Sequence, residues 1–168
     1  MSDLLPAERK VLERLGHLDL DFRAMWAVSN LFRASTAVRR HMESHVLAQD
    51  RLSWTAFTGM WVLWVWGEME AKEFARAVGI SRSTSTGVIR TLHARGYVRR
   101  RKHGRDGRAV IVGLTPNGRR KVEALFPTFN AEEAAVAQRL TPRQQGHLAT
   151  LLRTMFRTVD TNADDRVR

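Results

Sequence analysis

Residues 75–98 read ARAVGISRSTSTGVIRTLHARGYV, and this stretch decides the fold. The run from Glu70 to Val78 places Phe74, Ala75 and Val78 on one helical face and is ended by Gly79. Ser81 then opens a second run to about Arg95, with Val88, Ile89 and Leu92 as its apolar stripe and Gly96 as its stop. A serine just before a helical pattern is a cap signal, because its hydroxyl accepts an N–H that the first turn leaves without a partner. Two short helices joined at Val78-Gly79-Ile80-Ser81 make a helix-turn-helix candidate.

Working outward, Tyr97 to Lys102 and Ala109 to Leu114 are strand-like runs separated by His103-Gly104-Arg105-Asp106-Gly107-Arg108, a hairpin with a basic tip. Thr115-Pro116 pairs a capping residue with proline at the first helical position, so a helix starts there and carries Val122, Leu125 and Phe126. Pro127 is expected to kink or break it before a continuation to about Arg139. Thr141-Pro142 repeats the start signal and launches a last helix with Leu148, Leu151, Leu152, Met155, Phe156 and Val159 on one face. Upstream, Asp3 is placed to cap a short helix ending near Gly16, and a long helix is expected from about Asp21 to Gln49. Ser53 caps a helix holding Trp54, Phe57, Met60, Trp61, Leu63 and Trp64, apolar nearly all round and closed by Gly67. The fold expected is mainly α with a small β-hairpin wing. It is a single domain over residues 1–168, with a winged helix-turn-helix lobe at 52–114 flanked by dimerisation helices at 1–49 and 117–160.

Charge adds a direction. The net charge is +11, and twelve of the 28 Lys and Arg lie between Ser81 and Lys121, where the only acid is Asp106. The remainder of the chain carries sixteen of each sign and is neutral. A basic surface concentrated on an otherwise balanced protein is an electrostatic footprint for a polyanion. Cysteine is absent, which excludes disulfides, thiolate metal sites and thiol redox sensing. No uninterrupted apolar run is long enough to span a bilayer, and the first residues lack a secretory pattern. The expectation is a cytoplasmic protein with no membrane partner and no cofactor. No glycine-rich phosphate loop, nucleophile elbow or paired-carboxylate motif points to an enzyme.

In a helix-turn-helix the second helix enters the major groove of duplex DNA, its first turns facing base edges and phosphates. Those turns carry Ser81, Arg82, Ser83, Thr84, Thr86 and, one turn on, Arg90. Arginine pairs bidentately with guanine, whereas hydroxyls bond phosphates or bases with little preference. At the hairpin tip, Arg105 and Arg108 have the reach for a narrow minor groove. Asp106 would repel phosphate, so it is assigned to holding a neighbouring arginine.

Ala75 to Ser81, Leu92-His93-Ala94-Arg95-Gly96-Tyr97-Val98-Arg99-Arg100, Asp106-Gly107-Arg108 and Leu114-Thr115-Pro116-Asn117-Gly118 together resemble the MarR family of bacterial transcription regulators. The resemblance implies a homodimer with intertwined terminal helices, two recognition helices in successive major grooves and wing arginines in flanking minor grooves. It also implies repression, relieved when a small aromatic or anionic effector binds between the dimerisation helices and the winged lobe. Carried onto this chain, Ser81 to Thr86 would be recognition, and Arg108 the wing anchor oriented by Asp106. Two positions depart from the family pattern. Ser85 stands where an apolar residue is common, and Gly87 where a longer, often basic, side chain is frequent. The first long helix and the last helix each carry an apolar stripe that the small winged lobe cannot cover alone, which argues separately for self-pairing.

For the effector, Trp26, Trp54, Phe57, Trp61 and Trp64 are aromatic candidates, and Arg23, Arg39, Arg40 and His41 are candidates for holding an anion. Core packing is the competing reading of the aromatics, since helical spacing alone predicts a buried stripe. A wet helix face is the competing reading of the cations. His41 and His45 have a metal-compatible spacing but no evident third ligand, so no metal site is assigned. Met25-Trp26-Ala27-Val28-Ser29-Asn30-Leu31 with Phe129-Asn130-Ala131-Glu132-Glu133 resembles a subgroup responding to hydroxycinnamoyl-type acids or their coenzyme A thioesters. A winged helix used for protein or RNA contacts, without effector sensing, is the alternative function.

Overall fold

A computed structural model of the chain describes residues 4–103 and 109–160. The elements run α1 (Pro6–Leu15), α2 (Phe22–Met42), α3 (Trp54–Trp66), β1 (Met69–Glu70), α4 (Ala71–Val78), α5 (Arg82–Ala94), β2 (Val98–His103), β3 (Ala109–Leu114), α6 (Pro116–Ala137) and α7 (Pro142–Val159). The architecture is the one the sequence implied, mainly helical with a small antiparallel sheet. The chain forms two compact units that divide after His41. Among the described residues no helix is long and apolar enough to cross a membrane.

The first unit is a helix pair. Asp3, the expected cap of α1, lies outside the described residues; the cap position is Leu5, whose amide donates to the Glu8 carboxylate at 2.8 Å. Glu8 is almost completely buried, and its second oxygen accepts from Asn30 Nδ2 on α2 at 2.7 Å, with Arg33 3.9 Å away. A buried carboxylate is tolerated only when its lone pairs are satisfied. The Leu5 amide, followed by Asn30 and Arg33, holds its pKa below the usual carboxylate value. The long helix reaches its expected length by changing pitch. After Met42 come a π-helical turn at Glu43–Leu47 and a 3-10 turn at Ala48–Asp50, ended by Arg51 at φ 49°.

The second unit is built around α3. Ser53 Oγ accepts from Ala56 N at 3.2 Å, and Gly67 terminates the helix at φ 81°. Phe57, Met60, Val62 and Leu63 are buried, while Val65 and Trp66 at the C-terminal end are exposed. Gly59 lets α4 close onto this helix, because a Cβ there would come within 2.6 Å of the Phe74 ring. The sheet has the order β1-β3-β2, all antiparallel, with Val98 opposite Leu114 and Met69 opposite Val112. Strand β1 is an addition to the expected hairpin, which itself begins at Val98 instead of Tyr97.

Helix α6 corrects half of one expectation: the break allowed for at Pro127 does not occur, and the helix continues through it. The physical reason lies in its neighbours. Phe126 packs against Trp64 with ring centroids 5.5 Å apart, and Phe129 stacks on Phe57 at 4.3 Å and lies 5.7 Å from Trp54. These contacts hold both sides of the proline on α3, and tertiary packing outweighs one missing intrahelical hydrogen bond. Helix α7 has no buried residue; Leu148, Leu151, Leu152, Phe156 and Val159 form an exposed apolar strip along it.

Candidate nucleic-acid interface

The turn between α4 and α5 is set by local chemistry. Gly79 takes φ 74°, its N–H and that of Ile80 return to the carbonyls of Arg76 and Ala75, and α4 is thereby closed. Ser81 Oγ accepts from Thr84 N at 3.1 Å, starting α5. Ser85, Ile89 and Leu92 face inward, and Arg82, Ser83, Thr84, Thr86, Arg90 and Thr91 are exposed. Ser85 is 2 % exposed and donates to the Arg82 carbonyl at 2.8 Å. Its departure from the family pattern therefore falls in the core, not on the outward face.

The hydroxyls of the outward face are largely engaged within the helix. Ser81 Oγ lies 2.9 Å from Ser83 Oγ and 2.8 Å from Thr84 Oγ1, while Thr86 and Thr91 donate to the carbonyls of Arg82 and Gly87. Arg82 and Arg90 are the long, charged arms of this surface and form no ion pair among the described residues.

The structure sorts the basic cluster in a way that sequence order does not. Glu68, just before β1, takes Arg99 Nη2 at 3.2 Å and Arg101 Nη2 at 2.5 Å. The Arg101 and then the Arg99 hydrogen bonds hold the Glu68 carboxyl below its ordinary pKa. Arg100 and Lys102 alternate with them along β2 and so lie on the other face, exposed and without an ion pair among the described residues. Arg95 donates to the carbonyls of Arg51 and Asp50 at 2.9 and 2.6 Å and sits 4.9 Å over the Tyr97 ring. Lys121 meets the Asp50 carboxylate at 2.7 Å, a hydrogen bond that raises the lysine pKa. This hub joins the turn before α3 to the end of α5 and the start of α6. Arg119 lies 3.7 Å from Glu123. Arg105, Asp106 and Arg108 lie outside the described residues.

The hairpin is rooted firmly. Thr115 Oγ1 donates to the carbonyl of Gly96 at 2.6 Å and accepts from Gly118 N at 3.0 Å. A side chain at residue 118 would collide with the Tyr97 carbonyl, which explains the glycine three residues after that threonine.

The effector candidates fall into both units. In the first, Trp26 packs on Phe22 with centroids 5.9 Å apart, Arg23 is exposed with Asp21 3.9 Å away, and an open hollow on α2 is lined by Phe32, Arg33, Thr36, Ala37 and Arg40. Arg39 is exposed and His41 half-buried. In the second, Trp54 and Phe57 pack on Phe129, Trp61 meets Trp66 edge-on at 5.1 Å, and Trp64 Nε1 donates to Glu123 at 3.2 Å. Glu68 and Asp50 were not singled out in the sequence, and Arg95 stood there only within a motif; their partners lie 31 to 71 positions away, beyond any local pattern. Among the described residues no group of three metal-binding side chains is present.

Comparison with known proteins agrees with this geometry. The MarR family model matches residues 52–110. The HTH-type transcriptional regulator YwaE of Bacillus subtilis is 36% identical over 155 residues, covering 90% of this chain and 91% of the relative. The HTH-type transcriptional repressor YetL of the same organism is 24% identical, covering 90% and 92%. Among solved structures, Bordetella bronchiseptica BpsR, whose DNA binding is regulated by 6-hydroxynicotinic acid, is 26% identical with a TM-score of 0.72 over 77% of this chain and 97% of its own. With its paired helices, capped turn and rooted hairpin, and with a relative this similar along nearly its whole length, the chain belongs to the MarR family of transcriptional regulators.

Proposed function

We propose that this regulator is a ligand-responsive repressor that binds a pseudo-palindromic duplex DNA operator as a homodimer. The observation that carries the reading is the outward face of α5: Arg82, Ser83, Thr84, Thr86 and Arg90 are exposed together, opposite the buried Ser85, Ile89 and Leu92. Arg82 and Arg90 contact bases or phosphates in the major groove, Ser81, Ser83, Thr84 and Thr86 order the first turns, and Arg105 and Arg108, held by Asp106, enter the flanking minor groove. The winged lobe at 52–114 reads DNA, and helices at 1–49 and 117–160 join the protomers. The exposed apolar strip of α7 supports the dimer, whose half-sites would lie about 10 bp apart. Such a role puts the protein in the cytoplasm, beside the chromosome.

Repression is supported by the likeness to YetL, and an aromatic or anionic effector by the likeness to BpsR. The hollow on α2, with an exposed phenyl ring beside guanidinium groups, has the complementary chemistry for an aromatic acid. Hydroxycinnamoyl acids and their coenzyme A thioesters are the narrower class, resting on the resemblance over Met25–Leu31 and Phe129–Glu133. Fluorescence anisotropy with duplex DNA tests the core of the reading. Binding should weaken steeply with salt, and both Arg82→Ala and Arg108→Ala should lower it. Salt-independent binding with both variants unimpaired, or preference for an A-form RNA duplex or a protein, would exclude it.

A further inference from the structure

Among the described residues, the glycines of the second unit have visible reasons, with two exceptions. Gly67, Gly79 and Gly96 adopt positive φ, and a Cβ at Gly59, Gly113 or Gly118 would press on Phe74, Glu68 or Tyr97. Gly87 and Gly146 have neither: each lies inside a helix at ordinary φ, and an added Cβ would meet nothing within 4 Å among the described residues. Gly87 is therefore a cost to α5 in the free protein, since glycine is among the poorest helix formers and alanine the best.

Its surroundings separate it from Gly146. At 100° per residue, Gly87 is directed about opposite the centre of the stripe made by Ser85, Ile89 and Leu92, and shares the outward face with Ser83 and Arg90. Its carbonyl already accepts the Thr91 hydroxyl at 3.0 Å, so what this position offers a partner is the bare Cα surface. We infer that Gly87 determines specificity by leaving space: it is the point where a base edge in the major groove comes against the α5 backbone. Arg82 and Arg90 supply the long contacts, and Gly87 sets how deep the helix seats between them. This rests on the DNA-binding reading and deepens it. Close backbone approach to a ligand is one of the few uses that offset a glycine in a helix interior.

The free protein and its complex then predict opposite effects of a single methyl group. Wild type and Gly87→Ala are each used to enrich binding sites from a random duplex library, and their thermal midpoints are compared without DNA. The expected result has three parts. The midpoint of Gly87→Ala rises by about 2–4 °C. Its affinity for the wild-type consensus falls by about tenfold or more, with an altered base preference at one position in each half-site. Its affinity for random duplex is unchanged, because phosphate contacts remain. Equal affinity and identical preferences in the two proteins would overturn the inference while leaving DNA binding intact. A lowered midpoint would overturn it too, by showing that the site is not open. Failure of the wild type to bind duplex DNA at all is the distinct result that removes the underlying reading as well.

Discussion

Glu68 decides how much of the basic cluster is available to a partner. By holding Arg99 and Arg101 it leaves Arg100 and Lys102 as the cations of β2 with no ion pair among the described residues. Replacing it with glutamine should release both arginines, raise affinity for nonspecific duplex at low salt and steepen the dependence of log K on log salt by about one to two. An unchanged slope in anisotropy titrations would mean that the freed arginines do not reach phosphate. The same carboxylate has a pH consequence. Its pKa is lowered in the folded chain, so its contribution to stability is present above the unfolded value of about 4.3 and is lost as pH falls through the folded value. Glu68→Gln should accordingly flatten the acid limb of the melting-temperature profile.

At the scale of elements, the caps were readable because they are local. Ser53, Ser81, Thr115 and Thr141 each accept an N–H from three residues on. The break expected at Pro127 is absent for the converse reason: what preserves α6 is the packing of its Phe126 and Phe129 on Trp64 and Phe57 of α3, about 60 to 70 positions upstream. The pitch change at Glu43–Leu47 and the two-residue β1 likewise carry no sequence period long enough to detect. On the candidate interface, the exposed row on α5 was legible from spacing, but its division from the ion-paired Arg99, Arg101 and Lys121 and from Arg95, tied to backbone carbonyls, was not. If the aromatic seam holds α6 to α3, Phe129→Ala should cost about 3–5 kcal/mol, measured by urea unfolding. A loss below about 1 kcal/mol would show that Phe129 is dispensable to the seam.

At the scale of the molecule, the strip on α7 and the exposed Leu18, Leu20, Val28 and Phe32 of the first unit are apolar surface that a lone protomer leaves in water. Leu151→Glu with Leu152→Glu should convert a two-protomer species into a single one in sedimentation equilibrium, and weaken operator binding through loss of the paired half-site. A wild-type chain that sediments as one protomer would remove the basis for two-fold recognition. The lopsided placement of charge, finally, has a kinetic meaning. Twelve cations in residues 81–121 against an otherwise balanced chain concentrate positive charge around the proposed interface, and such a concentration turns a protein toward a polyanion before any contact is made. Added salt should therefore lower the association rate constant, as the orienting torque is screened, even where the bound geometry is untouched.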